Sequence, residues 1–304
     1  MQSSMKFGLS CALALPLNED LNIDCERLKA HARRCLEAGC SSVTIFGTTG
    51  EGASISLAER RNVLETFSTS GADLRRQVFG GVTGTSVGDA VEQARVVIER
   101  DCCGLLLSPP FYFKDVDDEG LYRWFSQVFE TIGCEARNVI LYHIPSVTQI
   151  ALSINLINRL KASFPALVKG VKDSGSDWAY TRKLLLDAPD DLLVLIGNER
   201  HLAEGIQLGA HGAISGLANL CPGILLKTLE TGVRDSRIDD LATEILKFPF
   251  AAAVKALLAH RHGDSTWLNV RPPLQALSPA NASRLTAACR TILGDDDQQP
   301  PPTA

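Results

Sequence analysis

Lys172 closes a short apolar run, Gly-Val-Lys-Asp-Ser over 170–174. Strand alternation puts Val168, Gly170 and Lys172 on one face, with Lys169 and Val171 on the other. If the first face points inward, the amine sits among apolar side chains. Desolvation then favours its uncharged, nucleophilic form. The alternatives are a lysine that snorkels to solvent or one that pairs with Asp173. Tyr142, in Leu-Tyr-His-Ile-Pro over 141–145, offers a hydroxyl that can give or take a proton. Its plainer role is a core tyrosine bonded to a carbonyl. Thr48 and Thr49 stand between Gly47 and Gly50. Their hydroxyls and backbone N–H groups suit a carboxylate, or they form only a tight turn before a helix. Glu51 reads as a turn or capping carboxylate.

These residues matter together only if the chain brings them to one place. Short apolar runs fall at 7–15, 42–47, 77–82, 104–108, 138–144, 168–173, 192–197 and 212–217. Amphipathic stretches separate them at 24–38, 57–70, 87–100, 118–131, 153–162, 177–186 and 199–208. Ser56 with Glu59 is a capping-box start, and Gly39 and Gly209 stand where helix-terminating glycines belong. Eight strands alternating with helices predict an α/β fold, a (β/α)8 TIM barrel. A doubly wound open sheet is the competing architecture. It ordinarily carries a glycine-rich phosphate turn after its first strand, and residues 13–18 have none. The barrel is expected over 1–220, helices packed on it over 221–294, and a disordered tail over 295–304, all in one domain. Barrel sites lie at the carboxyl ends of the strands. Lys172, Tyr142, Tyr112, Thr48 and Thr49 all fall at such ends.

Composition removes several function classes. The chain has 304 residues, a net charge of -5 and no basic stripe, which argues against nucleic acid and anionic membranes as partners. No apolar run approaches a membrane span. The nine Cys are an odd number without a C-x-x-C pair, and the start MQSSMKFGLSCALALPL lacks a strongly charged region before its apolar run. Reduced cytoplasmic thiols are therefore expected. The six His do not cluster with Cys, so no metal site is expected.

Taken in order, several segments resemble the dihydrodipicolinate synthase / N-acetylneuraminate lyase family of class I aldolases. They are Phe-Gly-Thr-Thr-Gly-Glu-Gly over 46–52, the motifs at 141–145 and 170–174, Gly-Ala-Ile-Ser over 212–215 and Ala-Val-Lys-Ala-Leu-Leu over 253–258. The match runs from about Phe7 to about Pro279. Each segment alone is weak; all of them in order, at the matching strand ends, are specific.

The resemblance implies a Schiff-base lyase that needs no cofactor. Lys172 is expected to form the imine with pyruvate or a longer 2-oxo acid. Thr48 and Thr49 hold its carboxylate, and Tyr142 shuttles protons. Thr48 links Tyr142 to a second tyrosine from a neighbouring subunit, for which Tyr112 is the candidate. The backbone of Ile214 completes the pocket. The implied assembly is a homotetramer made of two dimers.

The chain also departs from the synthases. Val147 occupies the position where they carry an arginine that grips the aldehyde's carboxylate, and a valine cannot bind one. Ser174 and Glu199 fall where the lyases contact substrate, Ser215 lies at the end of the last strand, and the three together suit a polyhydroxy chain. Glu199 could equally cap its own helix. His143 replaces an asparagine and by parity faces away from the barrel interior. Three functions compete: an aldolase or dehydratase of hydroxylated 2-oxo acids, a genuine 4-hydroxy-tetrahydrodipicolinate synthase, and, remotely, a non-catalytic binding barrel.

Overall fold

In the computed structural model, which describes residues 6–69 and 73–294, eight strands pair in chain order. They are β1 (Gly8–Ala12), β2 (Ser42–Ile45), β3 (Val78–Val82), β4 (Gly104–Leu107), β5 (Val139–His143), β6 (Val168–Asp173), β7 (Leu193–Ile196) and β8 (Gly212–Ser215). Every pair is parallel, and β8 returns to β1 with Cys11 opposite Ser215, which closes the barrel. All the strands but β6 are shorter than the apolar runs that announce them. The remainder of runs such as 7–15 continues, buried, into the loops that carry the site. The expected tail at 295–304 lies outside the described residues.

Side chains from alternate positions fill the barrel. Ala12, Phe79, Leu106, Ile140, Tyr142, Ile144, Leu195 and Ile214 form this interior cluster. A much larger cluster occupies the layer between strands and helices. One parity expectation is corrected here. β6 pairs Val168 with Val139, but Gly170 with Ile140, so Lys169 is an extra residue in a bulge. Val168 consequently packs in the outer layer rather than on the face of Gly170 and Lys172. Beyond the bulge the register is regular, and Lys172 stands opposite Tyr142.

The helices start and stop where local chemistry dictates. Ser56 and Glu59 form the reciprocal capping box: Ser56 N donates to Glu59 Oε2 at 2.9 Å and Glu59 N to Ser56 Oγ at 3.3 Å. Gly39 and Gly209 close their helices at φ 101° and 97°. After β8, helix Pro222–Thr231 packs against β1, and helices Ser236–Ile245, Phe250–His262 and Pro279–Leu293 pack on one another and on the barrel's end. Among the described residues, no helix is long and apolar enough to cross a membrane.

Candidate active site

The segment 46–52 is held in a backbone that its residues do not favour. Phe46 and Glu51 both adopt positive φ, at 59° and 52°, each costing roughly 1–3 kcal/mol. The cost is offset by a dense set of buried contacts. Arg60, fully buried, donates to Gly81 O at 2.6 Å and Gly52 O at 2.7 Å, and its guanidinium lies 4.7 Å from the Phe46 ring centroid. Glu51 pairs with Lys255 and accepts from Arg271 N at 2.8 Å. Arg271 in turn grips Glu59 and the carbonyls of Leu21 and Ser54. These clamps hold Thr48 and Thr49 at the end of β2.

Opposite them, the ends of β5 and β6 bring Tyr142 and Lys172 together. Lys172 Nζ donates to Tyr142 Oη at 3.2 Å and stands 4.3 Å from that ring's centroid. Tyr142 Oη is 3.3 Å from Thr48 Oγ1. Lys172 and Tyr142 are 4% and 5% exposed, so the amine does not snorkel to the outer surface. Pairing with Asp173 is ruled out by geometry: that carboxylate accepts from Gly175 N at 2.8 Å and Thr181 Oγ1 at 2.6 Å, on the other side of β6. His143 also faces that side. It stacks on Tyr180 at 4.2 Å and accepts from Leu152 N at 3.1 Å. Burial holds its pKa below the ordinary histidine value, against the opposing effect of Asp173.

A cavity of about 240 Å³ opens over this group. Thr48, Thr49, Tyr142, Lys172, Ser174 and Glu199 all line it. Ser174 Oγ is buried without a partner. Gly197 makes the room: a Cβ there would lie 2.7 Å from Lys172 Cε and 2.1 Å from Ser174 Oγ. Glu199 does not cap its own helix, because Asn198 does that. Its Oε1 instead accepts from Ser215 Oγ at 2.5 Å and Leu217 N at 3.3 Å.

Three expected site residues are not among the lining residues. The Ser215 hydroxyl is directed at Glu199 and so positions that carboxylate rather than meeting the cavity. Ile214 sits fully buried in the barrel interior. Tyr112 is 75% exposed and packs edge-on against Phe113, away from its own chain's cavity.

Other contributors were not singled out from the sequence. Arg200 follows Glu199 directly, and Asn198 and Ser176 join it at the loops after β7 and β6. Ala242, Leu246 and Phe250 come from the C-terminal helices and build one wall. No local motif marks those three. Arg200 had a weak signal, since it lies three residues beyond the end of the run 192–197, near the strand end where barrel sites form.

The model of the Dihydrodipicolinate synthetase family matches residues 5–291. An uncharacterized DapA-like lyase from Chloroflexus aurantiacus is 31% identical over 297 residues, covering 94% of this chain and 97% of that protein. The 4-hydroxy-tetrahydrodipicolinate synthase of Methanopyrus kandleri is 31% identical over 224 residues, 73% of each chain. A solved structure of dihydrodipicolinate synthase from Agrobacterium tumefaciens superposes with a TM-score of 0.92 at 46% identity, covering 95% of this chain and 100% of that one. A 2-keto-3-deoxygluconate aldolase from Sulfolobus, 21% identical with a TM-score of 0.81 over 94% of this chain and 96% of its own, shares the fold. A match that spans nearly the whole chain, over a barrel whose strand ends carry the expected lysine, tyrosine and threonines, makes this protein a member of the dihydrodipicolinate synthetase family and a lyase of its aldolase type.

Proposed function

We propose that Lys172 Nζ condenses with the ketone of pyruvate, or of a hydroxylated 2-oxo acid, and that the resulting imine makes or breaks a C–C or C–O bond at the neighbouring carbons. The observation that carries this is the run of three groups from Thr48 through Tyr142 to Lys172, joined at 3.3 and 3.2 Å. Imine formation expels the ketone oxygen as water. The cationic imine then accepts electrons from the adjacent carbon, which loses a proton or a carbonyl fragment. A tyrosine within hydrogen-bond reach of the amine is placed to carry those protons. Thr48 and Thr49 hold the carboxylate, and Ser174 and Glu199 are placed to meet hydroxyls farther along the chain. Ser174 supports this best, because its buried hydroxyl has no partner within the protein.

Borohydride reduction in the presence of pyruvate tests the reading. A pyruvyl adduct that peptide mapping places on Lys172 supports it. Failure to trap pyruvate or any longer 2-oxo acid overturns it.

The second reading is a genuine 4-hydroxy-tetrahydrodipicolinate synthase, favoured by similarity to the enzyme of that name from Methanopyrus kandleri. Against it, the cavity wall at Val147 offers no charge for the aldehyde's carboxylate. Formation of product from pyruvate and aspartate semialdehyde decides between them.

The proposal extends to a cytoplasmic homotetramer in which Tyr112 serves a neighbouring subunit. Its exposed position beside Phe113, itself 74% exposed, leaves it available for that contact. Sedimentation fixes the oligomeric state. Tyr112→Phe is expected to slow turnover without dissociating the assembly.

A further inference from the structure

Two cations line the cavity, Lys172 and Arg200, and they differ in position. Lys172 lies at the floor, buried against Tyr142. Arg200 stands farther out, between the end of β7 and helix Ser236–Ile245. That helix and the residues after it supply Ala242 and the half-exposed Leu246 at the mouth. The guanidinium reaches the helix through one long contact, Nη2 to Thr243 Oγ1 at 3.5 Å. Its Nε–H is buried with no acceptor. Among the described residues, no carboxylate lies within ion-pair distance of it. Glu199, its neighbour in sequence, points Oε1 at Ser215 and Leu217 instead.

A guanidinium has five donors in a planar fork and needs acceptors when it is drawn out of water. Here the protein supplies almost none. The fork borders a cavity that Val147, more than half exposed, also lines with an apolar side chain. A planar anion bound bidentately is the partner that satisfies such a group.

We propose that Arg200 grips a second, distal carboxylate of the substrate, so that this site takes 2-oxo acids whose far end is anionic. The inference rests on the imine reading, in which the reacting ketone sits at Lys172 and its own carboxylate at Thr48 and Thr49. The rest of the substrate then extends outward toward Arg200. Arg200 is thus a specificity-determining residue, and the substrate class narrows to 2-oxo dicarboxylates.

The test compares imine trapping by matched acids. Borohydride trapping is titrated with 2-oxopentanedioate against 2-oxopentanoate, and 2-oxohexanedioate against 2-oxohexanoate, with pyruvate as the reference. For the wild-type protein, the better-fitting diacid is expected to half-saturate at a concentration about 10- to 100-fold below its monoacid, the scale of a charge-assisted bidentate contact. In Arg200→Met that ratio is expected to fall to about one, and Arg200→Lys to retain part of it.

The readout is a ratio within one protein, so a partly unfolded variant does not mimic the result. Wild-type trapping with pyruvate but without preference for either diacid overturns the assignment to Arg200 and leaves the imine reading standing. The same holds if the preference survives in Arg200→Met. No trapping of pyruvate on Lys172 overturns the imine reading itself, and the inference with it.

Discussion

Glu51 and Lys255, 204 residues apart, form an ion pair in which neither side chain has any exposure to solvent. The pair joins the strained turn after β2 to helix Phe250–His262. Burial lowers the Lys255 pKa against the opposing pull of Glu51. Removing one partner leaves the other buried and unpaired. Lys255→Met is therefore expected to destabilise the fold by about 3–5 kcal/mol. The double variant Glu51→Gln/Lys255→Met should recover a part of that loss. Urea unfolding of the two singles and the double, read as a mutant cycle, measures the coupling. A coupling energy near zero would show that the pair does not hold the turn.

Tyr142→Phe keeps the ring beside Lys172 and removes the hydroxyl between it and Thr48. If the hydroxyl moves protons, turnover should fall by about 10²–10⁴-fold, the usual contribution of a positioned acid–base group. Borohydride with pyruvate should still label Lys172. Turnover within a few-fold of the wild type would remove Tyr142 from the proton path.

Gly197 is needed for space. A methyl group at this position meets Lys172 Cε and Ser174 Oγ well inside contact distance, and Asp173 O at 3.0 Å. Gly197→Ala should push the amine off its line to Tyr142 and cut turnover on the order of 10²-fold, the cost of a small misplacement. Overpacking should cost stability about 1–3 kcal/mol. Steady-state rates and thermal melting measured together separate the two effects. A loss of stability without a loss of rate would place the strain elsewhere.

Acid should loosen the clamp at the capping box. The Arg271 guanidinium, followed by the hydrogen bonds from Ser56, lowers the Glu59 pKa to about 2. A carboxylate depressed on folding adds stability that is fully present above its unfolded value, near ~4.3, and is lost as pH falls through the folded value. Stability should therefore decline between about pH 5 and pH 2, and Arg271→Met should flatten that part of the profile. Urea unfolding at stepped pH measures both slopes. Identical slopes would mean that Glu59 is not the titrating group.

Much of the fold was legible in the sequence, because barrel strands and helices announce themselves locally. Eight apolar runs, spaced by amphipathic stretches with a capping box at Ser56 and closing glycines at Gly39 and Gly209, specify the alternation, and eight is a number that closes. The floor of the site was legible for the same reason. Lys172, Tyr142, Thr48 and Thr49 each stand at the end of a run, and strand ends in this architecture share one face.

Tertiary structure decided whatever depends on residues far apart in the chain. Parity alone put Val168 beside Lys172, and only the pairing with β5 revealed the bulge that turns it outward. Ser215 reads as a pocket hydroxyl until the loop after β7 folds Glu199 onto it. Arg60, Lys255 and Arg271 carry no local mark of their task, because each is defined by carbonyls and carboxylates up to about 250 positions away. The wall formed by Ala242, Leu246 and Phe250, and the guanidinium of Arg200 beside it with its Nε left without an acceptor, exist only once the C-terminal helices dock on the barrel's mouth. A sequence pattern records which faces are apolar and where each strand ends, but not which side chain will arrive opposite from another part of the chain.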